Sequence, residues 1–97
     1  LALGASGVIS VLGNVYPAPL IDMVGAWFEG DITTAQEKHH FLTPLADSMF
    51  IESNPQPIKT IMAEFGYAAG PFRLPLVPME EATKKELLDI FATVPRS

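Results

Sequence analysis

The chain has 97 residues, with six Lys plus Arg against eleven Asp plus Glu and a formal net charge of −5. That balance argues against nucleic acid, whose binding needs clustered Lys and Arg, and against an anionic membrane surface. There is no cysteine, so there is no disulfide framework, thiolate metal site or cysteine nucleophile, in keeping with a cytoplasmic protein.

Hydrophobic residues reach 48% and charged residues only 18%. A body this small has a large surface for its volume and should carry more charge. The balance implies that apolar surface is covered by something else, a partner subunit or further chain. No apolar run approaches the ~20 residues needed to span a bilayer. The apolar opening has no basic flank and no cleavage-like end, so no signal peptide is expected.

In chain order, Leu1-Ala2-Leu3 reads as the tail of a helix and Gly4-Ala5-Ser6-Gly7 as a small-residue turn. Residues 8–11, Val-Ile-Ser-Val, are β-branched and bounded by Gly7 and Gly13-Asn14, which predicts a strand. A nearly all-apolar strand is typical of a parallel sheet covered on both faces. One strand cannot make a sheet. The chain is therefore expected to be the C-terminal piece of a larger α/β protein.

A first helix is predicted over 18–28, where Leu20, Met23, Val24, Trp27 and Phe28 make one apolar stripe. Pro17 or Pro19 suits its first turn and Gly30 its end. A second helix should start near Asp31 or Thr33, with Thr33 and Gln36 spaced as a capping box. Leu42, Leu45, Ala46, Met49 and Phe50 carry its stripe through Pro44, where a kink rather than a break is expected.

"ESNPQPIK" follows. Asn54 and Gln56 each precede a proline and are pushed toward extended backbone, so the stretch predicts a stiff connection. Ile58, Ile61, Met62 and Phe65 predict a third helix ended by Gly66. "AAGPFRLPLVP" can be neither helix nor central strand. It predicts a long ordered connection pinned by Phe72, Leu74, Leu76 and Val77. A last helix is predicted over 80–92, with Leu87, Leu88 and Phe91 inward, Glu80 and Glu81 at its favourable start and Pro95 as its stop.

Chemistry is sparse. His39 and His40 are adjacent, so on a helix they point about 100° apart and cannot chelate one metal as an i, i+4 pair could. Gly4-Ala5-Ser6-Gly7 precedes a strand, whereas phosphate loops follow one and open a helix. The residues with a positional argument are those from Ile9 through Asn14, because parallel α/β proteins bind ligands at the C-terminal ends of their strands. The alternative is that Gly13-Asn14 merely turns the chain, and position does not choose between the two. Among the lysines, Lys59 lies in the first turn of a helix, where the macrodipole disfavours a cation. That misfit suggests a carboxylate or carbonyl partner from another segment, with a solvated side chain as the alternative. There is no acid–base pair, no catalytic triad and no metal or cofactor site, so no catalytic residue is assigned.

Three stretches together carry a resemblance. "GASGVISVLGNV" resembles the last barrel strand of the dihydrodipicolinate synthase family, "ESNPQPIKTIMAEFG" its Glu-Pro-Asn-Pro-x-Pro-x-Lys stretch, and "FRLPLVPM" its Arg-Leu-Pro connection. Ser53 stands where the family usually has Pro, a change in loop stiffness. The resemblance implies a (β/α)8 TIM barrel with a helical C-terminal extension. Residues 1–30 would end the barrel and 31–97 would form the extension, a mostly α fragment with the last barrel strand and about four helices. It implies a lyase that condenses pyruvate with aspartate semialdehyde in lysine biosynthesis. The Schiff-base lysine would lie upstream of Leu1, and the homotetramer or homodimer would need no cofactor. It further implies that the Ile9 carbonyl contacts pyruvate, with Asn14 lining the site and Leu3 in a region that packs between subunits. Other readings are an N-acetylneuraminate lyase or keto-sugar acid aldolase of the same superfamily, or a free-standing helical interaction module.

Overall fold

The structure, a computed structural model, describes residues 1–94. A 3-10 turn, Leu12–Asn14, precedes four helices: α1 (Pro17–Phe28), α2 (Ile32–Ser48), α3 (Gln56–Glu64) and α4 (Glu81–Ala92). The expected stop at Pro95 lies outside the described residues.

The predicted strand does not form. Residues 7–10 pair with no neighbour among the described residues, and Val11 already has helical dihedrals (φ −65°, ψ −44°) as it enters the 3-10 turn. A parallel strand exists through its ladder, and this chain supplies one candidate segment and no partner for it. Before it, residues 2 and 3 form a turn, with the Gly4 N–H donating to the Leu1 carbonyl at 2.9 Å.

α1 opens on Pro17, whose missing N–H has no intrahelical partner to lose. It closes on Gly30, at φ +83°. The Gly30 N–H donates to Trp27 O at 3.1 Å and the Asp31 N–H to Ala26 O at 2.9 Å, the two bonds of a Schellman motif. Asp31 then starts α2. Its Oδ1 accepts the Thr34 N–H at 3.1 Å and its Oδ2 the Thr34 hydroxyl at 2.7 Å. The expected Thr33–Gln36 box is therefore displaced, with Thr33 inside the helix. A carboxylate two residues earlier accepts two bonds and also places negative charge at the helix start. α1 and α2 thus form an antiparallel hairpin with a short turn.

α2 runs through Pro44, which lies on the exposed side, where water can serve the carbonyl that loses its donor. Its apolar stripe ends on Met49, which is fully buried, while Phe50 is exposed rather than inward as the spacing suggested. Gln56 is another departure: it opens α3 instead of staying extended, with Pro57 in the first turn. Gly66, at φ +88°, ends α3 in a second Schellman pair: Gly66 N–H to Ala63 O at 3.0 Å and Tyr67 N–H to Met62 O at 2.9 Å.

The connection 67–80 has neither helix nor strand, as its prolines dictate. Of its predicted anchors, Phe72 and Leu76 are half-buried while Leu74 and Val77 are exposed, and its buried residue is Met79. Leu87 and Phe91 bring α4 onto a core that includes Tyr16, Leu45, Met49 and Ile61.

Candidate functional site

The stretch from Ile9 to Asn14 is a short loop set in front of a rigid backing. Leu12, Val15 and Tyr16 are buried and fix its rear. The loop closes on itself by three bonds. The Gly13 N–H donates to Ser10 Oγ at 3.3 Å, the Asn14 N–H to Val11 O at 3.2 Å, and Asn14 Nδ2 to the same carbonyl at 2.9 Å. Sequence reasoning passed over Ser10. Its signal was a hydroxyl three residues before a glycine turn, a spacing that suits a local side-chain cap.

Ile9 stands free of that closure. Its side chain is fully exposed, and its backbone N–H and C=O have no partner among the described residues. A carbonyl in that state is an available acceptor. Asn14 differs, because its amide donor closes the turn and its Oδ1 is left to accept. Ile9 and Asn14 therefore occupy one loop, with the backbone of one and the side-chain oxygen of the other both able to accept hydrogen bonds.

Gly13 sits in a close approach to α1. A Cβ there would stand 3.1 Å from Leu20 Cδ2 and 3.7 Å from Ser10 Cβ. The loop therefore lies directly against the first turns of α1.

The remaining candidates fall elsewhere. His39 and His40 are exposed, with ring centroids 5.7 Å apart. No group of three or more metal-ligating side chains is gathered among the described residues. Lys59 has the partner its misfit implied: its Nζ donates to Pro71 O at 2.8 Å and stands 4.9 Å from the centre of the Phe72 ring. The buried polar residues among those described are Ser48 and Gln56, so no lysine is desolvated here as a nucleophilic amine would be.

The chain matches one family nearly from end to end. The model of the dihydrodipicolinate synthetase family covers residues 1–93. The chain belongs to that family.

Among curated members, the 4-hydroxy-tetrahydrodipicolinate synthase of Methanothrix thermoacetophila is 51% identical over 90 residues, which is 93% of this chain and 30% of the relative. That of Methanocaldococcus jannaschii is 47% identical over 90 residues, again 93% of this chain and 31% of the relative. Among solved structures, dihydrodipicolinate synthase from Aquifex aeolicus superposes with a TM-score of 0.87 at 40% identity, covering 94% of this chain and 31% of that one. The enzyme from Thermotoga maritima gives 0.88 at 35% identity, with 94% and 31% covered. The chain thus spans about a third of the length of the family members it matches. Those solved relatives are TIM barrels, and the described residues of this chain, which match about a third of them, form helices. The unpaired segment 7–10 falls inside the family match, so the family's pattern includes a piece that this chain by itself leaves without a ladder.

Proposed function

We propose that this chain is the C-terminal part of a cytoplasmic 4-hydroxy-tetrahydrodipicolinate synthase, which condenses pyruvate with aspartate semialdehyde in the diaminopimelate route to lysine. One observation carries the reading: identity of 51% to a curated synthase runs over 93% of this chain yet uses only 30% of the relative. The rest of such an enzyme would then supply the Schiff-base lysine, the other catalytic groups and seven barrel strands. Residues 8–11 would be the eighth strand, residues 1–30 the end of the barrel, and residues 31–97 its helical extension. The working unit would be a homotetramer or homodimer.

Barrel enzymes react at the C-terminal ends of their strands. In this reading Ile9 and Asn14 stand there. The Ile9 carbonyl oxygen can only accept, so the atom it faces must donate or carry positive charge. The protonated imine that pyruvate forms with a lysine meets that demand, and pyruvate's own carboxylate does not. Ile9 would then orient bound pyruvate through its backbone, without a proton to give. The buried Tyr16 and the cramped Gly13 would hold that backbone still, and Asn14 Oδ1 would line the mouth of the site.

Borohydride reduction in the presence of pyruvate tests the proposal. The full-length polypeptide should gain one pyruvate-derived adduct on a lysine outside these 97 residues, and the isolated chain none. An adduct on Lys38, Lys59, Lys84 or Lys85 would overturn it.

A further inference from the structure

The connection between α3 and α4 is held mostly by side chains. Within residues 67–80 the backbone makes two short-range bonds, Ala69 N–H to Tyr67 O and Leu76 N–H to Arg73 O, both at 2.9 Å. Three side chains from the stretch 52–59 do the rest. Gln56, buried, donates its Nε2 to the Val77 carbonyl. Lys59 exports its charge from the start of α3 to the Pro71 carbonyl and the Phe72 ring. Glu52 reaches furthest. Its Oε2 accepts the Glu80 N–H at 3.1 Å, across 28 residues, and also the Thr83 hydroxyl.

The contact at Glu52 has a recognisable logic. α4 begins after Glu80, whose own side chain caps nothing. In a capping box, a carboxylate at the third helical position reaches back to the N–H of the cap residue. Thr83 holds that third position and has no carboxylate. Its hydroxyl also lies 3.1 Å from the Glu80 carbonyl, but a hydroxyl has one proton to donate, and a carboxylate is the stronger acceptor. The missing carboxylate comes from Glu52 instead. Its negative charge arrives at the helix end where the macrodipole favours it.

We propose that residues 52–59 are a clasp built around a capping box split across the chain. Glu52 is the N-terminal cap of α4 and sets the register in which α4 presents Leu87 and Phe91 to the core. Gln56 and Lys59 fasten the connection that delivers α4 to that cap. Glu52 and Lys59 are thus positioning residues, and the Glu-to-Lys stretch works as a fastening and not as a site of chemistry.

Amide hydrogen exchange on the full-length polypeptide, read by peptide mass spectrometry, tests this. Glu52→Ala should raise exchange over residues 80–84 by about five- to tenfold, the effect of losing a helix cap, while residues 37–46 of α2 keep their rates. Adding Thr83→Glu to Glu52→Ala rebuilds the box within α4 and should return residues 80–84 to within about twofold of the parent. Should Glu52→Ala fail to fold, Glu52→Gln decides, since it keeps an acceptor oxygen but loses the charge; it should raise the same amides about two- to threefold. Unchanged rates over 80–84, a rise shared equally by all helices, or no recovery in the double variant would each overturn the assignment.

Discussion

The ring of Tyr16 lies 5.7 Å from that of Phe91, tilted by 31°, and Phe65 meets both edge-on at 6.2 and 6.4 Å. This joins the last helix to the residue just behind the candidate loop. Tyr16 and Phe91 are both buried, so truncation of Phe91 empties a cavity that its neighbours cannot refill. Phe91→Ala should cost about 3–5 kcal/mol. Phe91→Leu keeps most of the volume and should cost markedly less. Urea unfolding of the full-length protein, at constant m value, gives both figures.

Gly13 and Leu20 form a second pair, in steric conflict once a methyl is added. Gly13→Ala places a Cβ 3.1 Å from Leu20 Cδ2, inside ordinary van der Waals contact. The cost should be about 1 kcal/mol, limited because the clashing atom ends a flexible side chain. Leu20→Ala removes the obstacle. A double-mutant cycle should therefore show the Gly13→Ala penalty shrinking in the Leu20→Ala background, measured by the same unfolding experiment.

Asp31 gives the hairpin a dependence on pH. The Thr34 hydroxyl, and then the Thr34 N–H, hold its carboxyl below the ordinary aspartate range. A folded value depressed in this way adds stability above the unfolded pKa of about 3.9, and the gain disappears as pH falls through the lower folded value. Asp31→Asn keeps a capping oxygen and removes the titration. The parent should melt above the Asn variant at pH 7, and the gap should close as the pH is lowered below about 4. Melting curves of the two proteins taken in parallel would show it.

The proposed role of Ile9 separates side chain from backbone. The proposed contact is made by the backbone carbonyl, so Ile9→Val, which keeps a β-branched side chain, should leave the KM for pyruvate within about twofold. Ser10→Pro constrains Ile9 and removes the Ser10 hydroxyl that accepts the Gly13 N–H. It should raise that KM by about tenfold, the scale of one lost hydrogen bond. Steady-state kinetics of the full-length enzyme distinguish the two, and equal effects would count against a backbone contact.

The helices were legible because their signals are local. Leu20, Met23 and Trp27 repeat at helical spacing, and Gly30 and Gly66 supply the positive φ that each turn needs. The carbonyl partner of Lys59 was also legible, because a cation at a helix start needs a reason. What failed depended on information from elsewhere in the chain. Residues 8–11 have the composition of a strand, but pairing is a property of neighbours and none is present among the described residues. Met79 outranks Leu74 as an anchor because burial depends on where the connection lands, and no periodicity exists in an irregular segment. Of the two starts offered for the second helix, Asp31 holds and the Thr33–Gln36 box does not, a choice between caps that spacing does not make. Glu52 was invisible, since its partners lie 28 and 31 residues away. At the candidate loop, sequence position pointed to the stretch from Ile9 through Asn14 and the family resemblance to Ile9, while the closure by Ser10 and Asn14 Nδ2 needed coordinates.

The split cap also bears on the order of assembly. The α1–α2 hairpin closes over a three-residue turn, whereas the Glu52–Glu80 contact closes a loop of 28 residues. Loop-closure entropy grows with the logarithm of length, so the second closure is dearer by roughly 2 kcal/mol. The hairpin can therefore form early from local contacts, and α4 gains its register only after α3 and the connection are in place. On a ribosome this order matches the direction of synthesis. α4 emerges after the other three helices and is also the last of the four to find its cap, and with it the aromatic cluster at Tyr16 closes.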